Sequence, residues 1–68
     1  MKPVSGKALC KAMEAKGWIF IRQRSSHHVY KHPDSTETIS VPVHGNHDIP
    51  TGMQRRLMRQ AGLSDDDL

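Results

Sequence analysis

Trp18-Ile19-Phe20-Ile21, then Arg22-Gln23-Arg24-Ser25-Ser26, then His27-His28-Val29-Tyr30-Lys31, is the stretch on which the fold turns. Its first four residues are apolar, β-branched or aromatic, and too few for a helix. Arg24-Ser25-Ser26 breaks the run, and strand character resumes at His27, so the stretch reads as a β-hairpin. Upstream, Ser5 is placed to cap a first helix over residues 5–16, with Val4 before it set for a hydrophobic staple. Ala8, Leu9, Ala12 and Met13 recur at the spacing of one helical face, while Lys7, Lys11 and Glu14 fall largely on the other. Lys16 suits the negative helix end, and Gly17 is a natural stop.

Downstream, His32-Pro33-Asp34-Ser35 carries turn residues. Thr36 to Val43 alternates, with Ile39, Val41 and Val43 on one side and Thr38, Ser40 and Pro42 on the other. This predicts a half-buried strand with Pro42 at its end or on a sheet edge. His44-Gly45-Asn46-His47-Asp48 reads as a loop. Thr51 and Gln54 form a capping-box pattern for a second helix, whose apolar face is Met53, Leu57, Met58 and Ala61. Arg55, Arg56 and Arg59 project elsewhere; Gly62 ends the helix, and Leu63 is placed for the contact that accompanies a Schellman motif. The order is α-β-β-β-α in a single domain, residues 1–68. Its compact solution is an α+β fold: a three-stranded antiparallel sheet with both helices on one face, as in double-stranded RNA-binding domains.

Composition narrows the function. A chain of 68 residues buries only about 60% of its unfolded surface, so any active site lies on the surface and not in a deep cavity. The single cysteine, Cys10, excludes an internal disulfide and any cysteine-rich zinc site. No stretch resembles a signal peptide or approaches the ~20 apolar residues of a membrane span, so a soluble, cytoplasmic protein is expected. Ten Lys and Arg against seven Asp and Glu give +3, and three of those acids are Asp65, Asp66 and Asp67. The body is therefore basic, which favours a polyanionic partner, nucleic acid first.

Five histidines cluster as His27, His28, His32 and then His44, His47. Imidazole takes and gives protons near neutrality. RNA cleavage by its own 2′-OH needs a base, an acid and positive charge on the phosphate, with neither metal nor covalent intermediate. A strand-start histidine flanked by Arg22, Arg24 and Lys31 supplies the minimum. Taken singly, each histidine also reads as a solvated side chain, and the arginines of the second helix as a solvated face or an RNA contact. His44 and His47 have only a weak metal-like spacing. Ser25 and Ser26 lack a carboxylate–histidine pair, which rules against a serine hydrolase. Met13, Met53 and Met58 read as core filler.

Three stretches together resemble the HicA (YcfA-like) toxins. They are Gly17-Trp18 followed by Arg22-Gln23-Arg24-Ser25-Ser26-His27; Tyr30-Lys31-His32-Pro33; and Val41-Pro42-Val43-His44 with Ile49-Pro50-Thr51-Gly52 and Arg59-Gln60-Ala61-Gly62-Leu63-Ser64. The resemblance covers nearly the whole chain in order. It implies a ribosome-independent mRNA interferase of double-stranded-RNA-binding-like fold, inactivated by a HicB-type antitoxin. The family's single catalytic histidine carries over to His27, three residues before Tyr30. Ser25 departs from the glycine usual there. Doubling as His27-His28 leaves two candidates; adjacent strand residues face opposite ways, and spacing favours His27. The expected site is then catalytic His27, with Arg22, Arg24, Lys31, Arg55 and Arg59 binding RNA, and no metal or cofactor. The second proton-transfer group is a histidine such as His28 or His32, or water. The competing reading is a non-catalytic RNA-binding module of the same fold.

Overall fold

A computed structural model describes all 68 residues. Helix α1 (Gly6–Ala15) is followed by strands β1 (Ile19–Arg24), β2 (His27–Lys31) and β3 (Thr38–Pro42), helix α2 (Thr51–Ala61) and a 3-10 turn, Asp65–Asp67. The strands form one antiparallel sheet in the order β1-β2-β3, the α-β-β-β-α arrangement read from the sequence.

Local chemistry sets most boundaries. The Ser5 hydroxyl accepts from the Ala8 amide at 3.1 Å and starts α1. Gly17 at φ +94° ends it: the Gly17 and Trp18 amides reach back to the Glu14 and Met13 carbonyls at 3.1 and 3.0 Å, a Schellman closure. Gly62 at φ +72° repeats this on α2, with Leu63 bonded to Met58 and folded into the core. Two expectations are corrected. Ala8 is exposed and Cys10 buried, so the inner face of α1 is Gly6, Leu9, Cys10 and Met13, the i, i+3, i+4, i+7 set. The start of α2 has no side-chain cap, and Pro50 precedes Thr51 as the boundary residue. Gln54 is instead 1% exposed; it accepts from the Val4 amide at 3.1 Å and donates to the Lys2 carbonyl at 2.6 Å. A buried amide that satisfies the amino-terminal segment outcompetes a local cap.

Leu9 and Met13 of α1, Tyr30, Ile39 and Val41 of the sheet, and Leu57, Met58 and Ala61 of α2 form one buried cluster, closed by Trp18 and Ile49. Each fully buried side chain of this size contributes about 1.5–3 kcal/mol. Trp18 ties the layers together by donating Nε1–H to the Ala61 carbonyl at 3.0 Å. The acidic tail is also anchored, by a Lys16–Asp67 ion pair at 3.3 Å and the Ser64 amide on the Asp67 carboxylate at 2.7 Å. That amide, first, and Lys16 hold the Asp67 carboxyl below its ordinary range.

Both helices share a cluster with Tyr30, Ile39 and Val41, so they cover one face of the sheet. Residues directly opposite in antiparallel strands share a face. Tyr30 opposes Ile39 and His28 opposes Val41 on the helix side; His27 opposes Pro42, Val29 opposes Ser40 and Lys31 opposes Thr38 on the outer side. In β1 a bulge between Phe20 and Arg22 absorbs Ile21. Phe20 thereby stays on the helix side against Tyr30, while Arg22 and Arg24 oppose Val29 and His27 on the outer face. A regular strand would put residues 20, 22 and 24 on one side; the bulge sends phenylalanine one way and both arginines the other. The apolar run that opens β1 is not buried: Ile19, Phe20 and Ile21 are 52%, 46% and 45% exposed on the sheet edge.

Candidate functional site

The site is built from the hairpin turn outward. Arg24 pairs with His27, leaving Ser25-Ser26 as a two-residue connection. Such turns need positive φ, and Ser25 supplies it at +56°. Gln23 Nε2 donates to the Ser25 carbonyl at 3.1 Å and steadies the turn. His27 emerges as the first residue of the central strand, exposed, between Arg24 on one side and Pro42 on the other. Arg22, Arg24, Ser25 and His27 border a shallow groove on the outer sheet face, floored by Val29 and Ser40. The protein's two ion pairs, Met1–Asp65 and Lys16–Asp67, involve neither Arg22, Arg24 nor Lys31, so these cations are free for an anionic ligand.

His27 also borders a second depression, a cleft of about 290 Å³ lined by Pro42, His44, His47, Asp48, Ile49 and Met53. The loop that forms it is tied at both ends. The Val43 amide donates to the Ser26 carbonyl at 2.7 Å, extending the β2–β3 ladder past Pro42, and the Ile49 amide donates to the Val4 carbonyl at 2.9 Å. Between them the His47 amide closes a turn on the His44 carbonyl at 3.0 Å, with Gly45 at φ +57°. Ser26 Oγ and His44 Nε2 lie 3.4 Å apart. His27, far in sequence from His44 and His47, thus shares one cleft with them, a grouping the residue spacing did not reveal because it depends on the β2–β3 register. No group of three His, Cys, Asp or Glu side chains is arranged to ligate a metal ion.

The remaining sequence candidates are dispersed. His28 is half-buried on the helix side, its ring edge-on to Phe20 with centroids 5.5 Å apart. His32 is held by both nitrogens: Nδ1 accepts from the Asp34 amide at 3.0 Å, and Nε2 lies 3.0 Å from the Lys16 carbonyl. The first bond requires Nδ1 unprotonated, so Nε2 is the donor to the carbonyl, and the ring packs edge-on to Trp18 at 5.1 Å. Five residues along the chain from His27, roughly 16 Å at strand rise, His32 is a clasp between the end of α1 and the turn after β2. Lys31 shares the outer face but stands four residues from His27, about 13 Å along the strand. Arg55 and Arg59 border a separate depression with Met1, Leu63 and Asp65 on α2, across the sheet from the arginine groove. The five basic residues therefore make two surfaces, with Arg22, Arg24 and Lys31 on the one that carries His27.

Burial alters two ionisable groups in the core behind this surface. Burial, above all, and then its hydrogen bond to Glu14 push the Tyr30 phenol far above its ordinary range. Burial also raises the Cys10 thiol, which is free and enclosed.

The sequence matches a family model described as HicA toxin of bacterial toxin-antitoxin over residues 6–63. No curated protein matches it.

Proposed function

The chain belongs to the HicA toxin family of bacterial toxin-antitoxin systems, and on that premise we propose that it is a metal-independent endoribonuclease that cleaves mRNA through His27 and is neutralised by a HicB-type antitoxin. The observation that carries this reading is the position of His27, the one residue that borders both the arginine groove and the histidine cleft. Arg22 and Arg24 have no carboxylate partners and supply charge for the phosphodiester backbone. A single strand can run along the open outer face, which no helix covers. His27 then meets one phosphate and acts as general acid or base on the ribose 2′-OH or the leaving 5′-oxygen. Of the doubled histidines, His27 shares a face with the arginines and His28 does not, which favours His27 for the role. Action in the cytoplasm follows from the substrate; no helix is long and apolar enough to cross a membrane.

The test pairs growth with chemistry. Induction of the wild-type chain is expected to arrest growth. The purified protein is expected to cleave RNA in excess EDTA, leaving 2′,3′-cyclic or 3′-phosphate ends. His27→Ala is expected to lose both activities with its melting temperature preserved, since an exposed side chain contributes little packing. Full toxicity from a folded His27→Ala protein, or 5′-phosphate products that require magnesium, would overturn the assignment.

A further inference from the structure

Cleavage at His27 leaves one proton unassigned. In-line attack by the 2′-OH forms the 2′-O–P bond of a 2′,3′-cyclic phosphate and breaks the P–O5′ bond. One group takes the 2′-OH proton, and another gives a proton to the departing 5′-oxygen. One imidazole does not stand on both sides of an in-line displacement at once. His28 and His32 do not fill the gap: His28 is half-buried on the helix side and His32 is bonded through both ring nitrogens.

We propose that His44 is the second catalytic residue, the general acid that protonates the 5′-oxygen while His27 takes the 2′-OH proton. This rests on the ribonuclease reading above and assigns the half of the reaction that it leaves open. His44 lines the same cleft as His27, and its backbone is fixed beside the hairpin turn by the Val43–Ser26 bond of 2.7 Å. Its ring has a hydrogen-bond partner too. Ser26, immediately before His27, holds its hydroxyl 3.4 Å from His44 Nε2. A hydroxyl accepts from the Nε2–H of a protonated ring and leaves Nδ1–H to donate, the arrangement a general acid needs. His47 lines the cleft as well, but no hydrogen bond orients its ring. Asp48, also at the cleft, is engaged through its backbone in a bridge to Ser5 that fixes the far end of the loop. After cleavage His44 is neutral and His27 protonated, and exchange with water restores both.

The experiment compares wild type, His44→Ala and His47→Ala on an RNA oligonucleotide and on the same oligonucleotide with sulfur in place of the bridging 5′-oxygen at the cleaved position. Thiolate leaves without a proton, so the second substrate does not need the acid. His44→Ala is expected to cleave ordinary RNA about 10²–10⁴-fold more slowly and to recover to within about tenfold of wild type on the sulfur substrate. Its affinity for RNA, measured with His27→Ala also present to prevent cleavage, is expected to stay within about threefold of the His27→Ala protein alone, since the acid acts in the transition state. Ser26→Ala, which removes the positioning hydroxyl, is expected to show a smaller loss with the same recovery. Equal slowing of His44→Ala on both substrates, no slowing on either, or recovery confined to His47→Ala would overturn the proposal while wild-type cleavage upholds the ribonuclease reading. A wild-type protein that cleaves neither substrate overturns that reading, and this assignment with it.

Discussion

Gly6 packs its α-carbon directly against the carbonyl of Pro42: an added Cβ would overlap that oxygen and stand 2.9 Å from the carbonyl carbon and 3.1 Å from the Val43 Cα. The first turn of α1 is thereby seated on the end of β3, opposite His27 in the sheet. Replacing a helical glycine by alanine ordinarily stabilises by about 0.5–1 kcal/mol. Here the sign reverses, because the neighbours are backbone and cannot swing aside. Gly6→Ala is expected to destabilise by at least roughly 1–3 kcal/mol, lowering Tm by about 4 °C or more. Calorimetry of the purified variant checks it, and an unchanged or raised Tm would contradict the contact.

Ser25 presents the opposite case. Its φ of +56° lies in the left-handed region, which costs a residue with a Cβ about 1–2 kcal/mol. The Gln23 bond goes to the Ser25 main-chain carbonyl and survives substitution. Glycine removes the strain but adds chain entropy to the unfolded state, so Ser25→Gly is expected to gain about 0.5–1 kcal/mol net. Urea denaturation measures this. A loss of stability would mean that the Ser25 side chain contributes more than its backbone costs.

These two residues mark what the sequence makes legible. Ser5, Gly17, Gly62 and the hairpin act through neighbours within a few residues, and the order of elements is readable because such signals are local. The family motif points to His27 for the same reason. Gln54 misleads because its amide spends its bonds on Lys2 and Val4, some fifty residues away. Ile19-Phe20-Ile21 reads as a β-favouring apolar run, but nothing in it tells that it lies exposed on a sheet edge. The convergence of His27, His44 and His47, and the separation of Arg55 and Arg59 from Arg22 and Arg24, depend on strand register and on the bulge at Ile21. No local spacing encodes either.

Alkaline pH tests the core. The Tyr30 hydroxyl, on a side chain 1% exposed, donates to Glu14 at 2.5 Å. Burial chiefly, and this bond, raise the phenol well above its ordinary value of about 10. A raised folded-state pKa gives stability that is fully present below the unfolded value and is lost as pH climbs beyond it. Cys10, raised by burial, acts in the same direction from about its ordinary thiol range upward. Stability is therefore expected to fall steadily from about pH 9 to 11. Tyr30→Phe is expected to cost roughly 1 kcal/mol at neutral pH and to flatten the part of that fall above pH 10. Parallel profiles for the two proteins would contradict the role given to Tyr30.

The antitoxin has a ready target. On the proposed mechanism, covering His27 would block substrate and chemistry in one step, and an acidic partner surface would gain steering from Arg22, Arg24 and Lys31. The same edge strand exposes Ile19, Phe20 and Ile21, apolar area that a protein partner gains by burying and that phosphates do not. A HicB-type antitoxin is therefore expected to compete with RNA for the outer face without unfolding the toxin. Both complexes are expected to weaken as salt rises, RNA through counterion release. Ile19→Ala, on the outer face opposite Lys31, is expected to weaken the antitoxin complex more than the RNA complex, and Arg24→Ala to weaken both. Titration of labelled RNA against the His27→Ala toxin, with and without antitoxin, measures the competition. A ternary complex that forms without loss of RNA affinity would show that the antitoxin acts elsewhere, and occlusion of His27 would have to be abandoned.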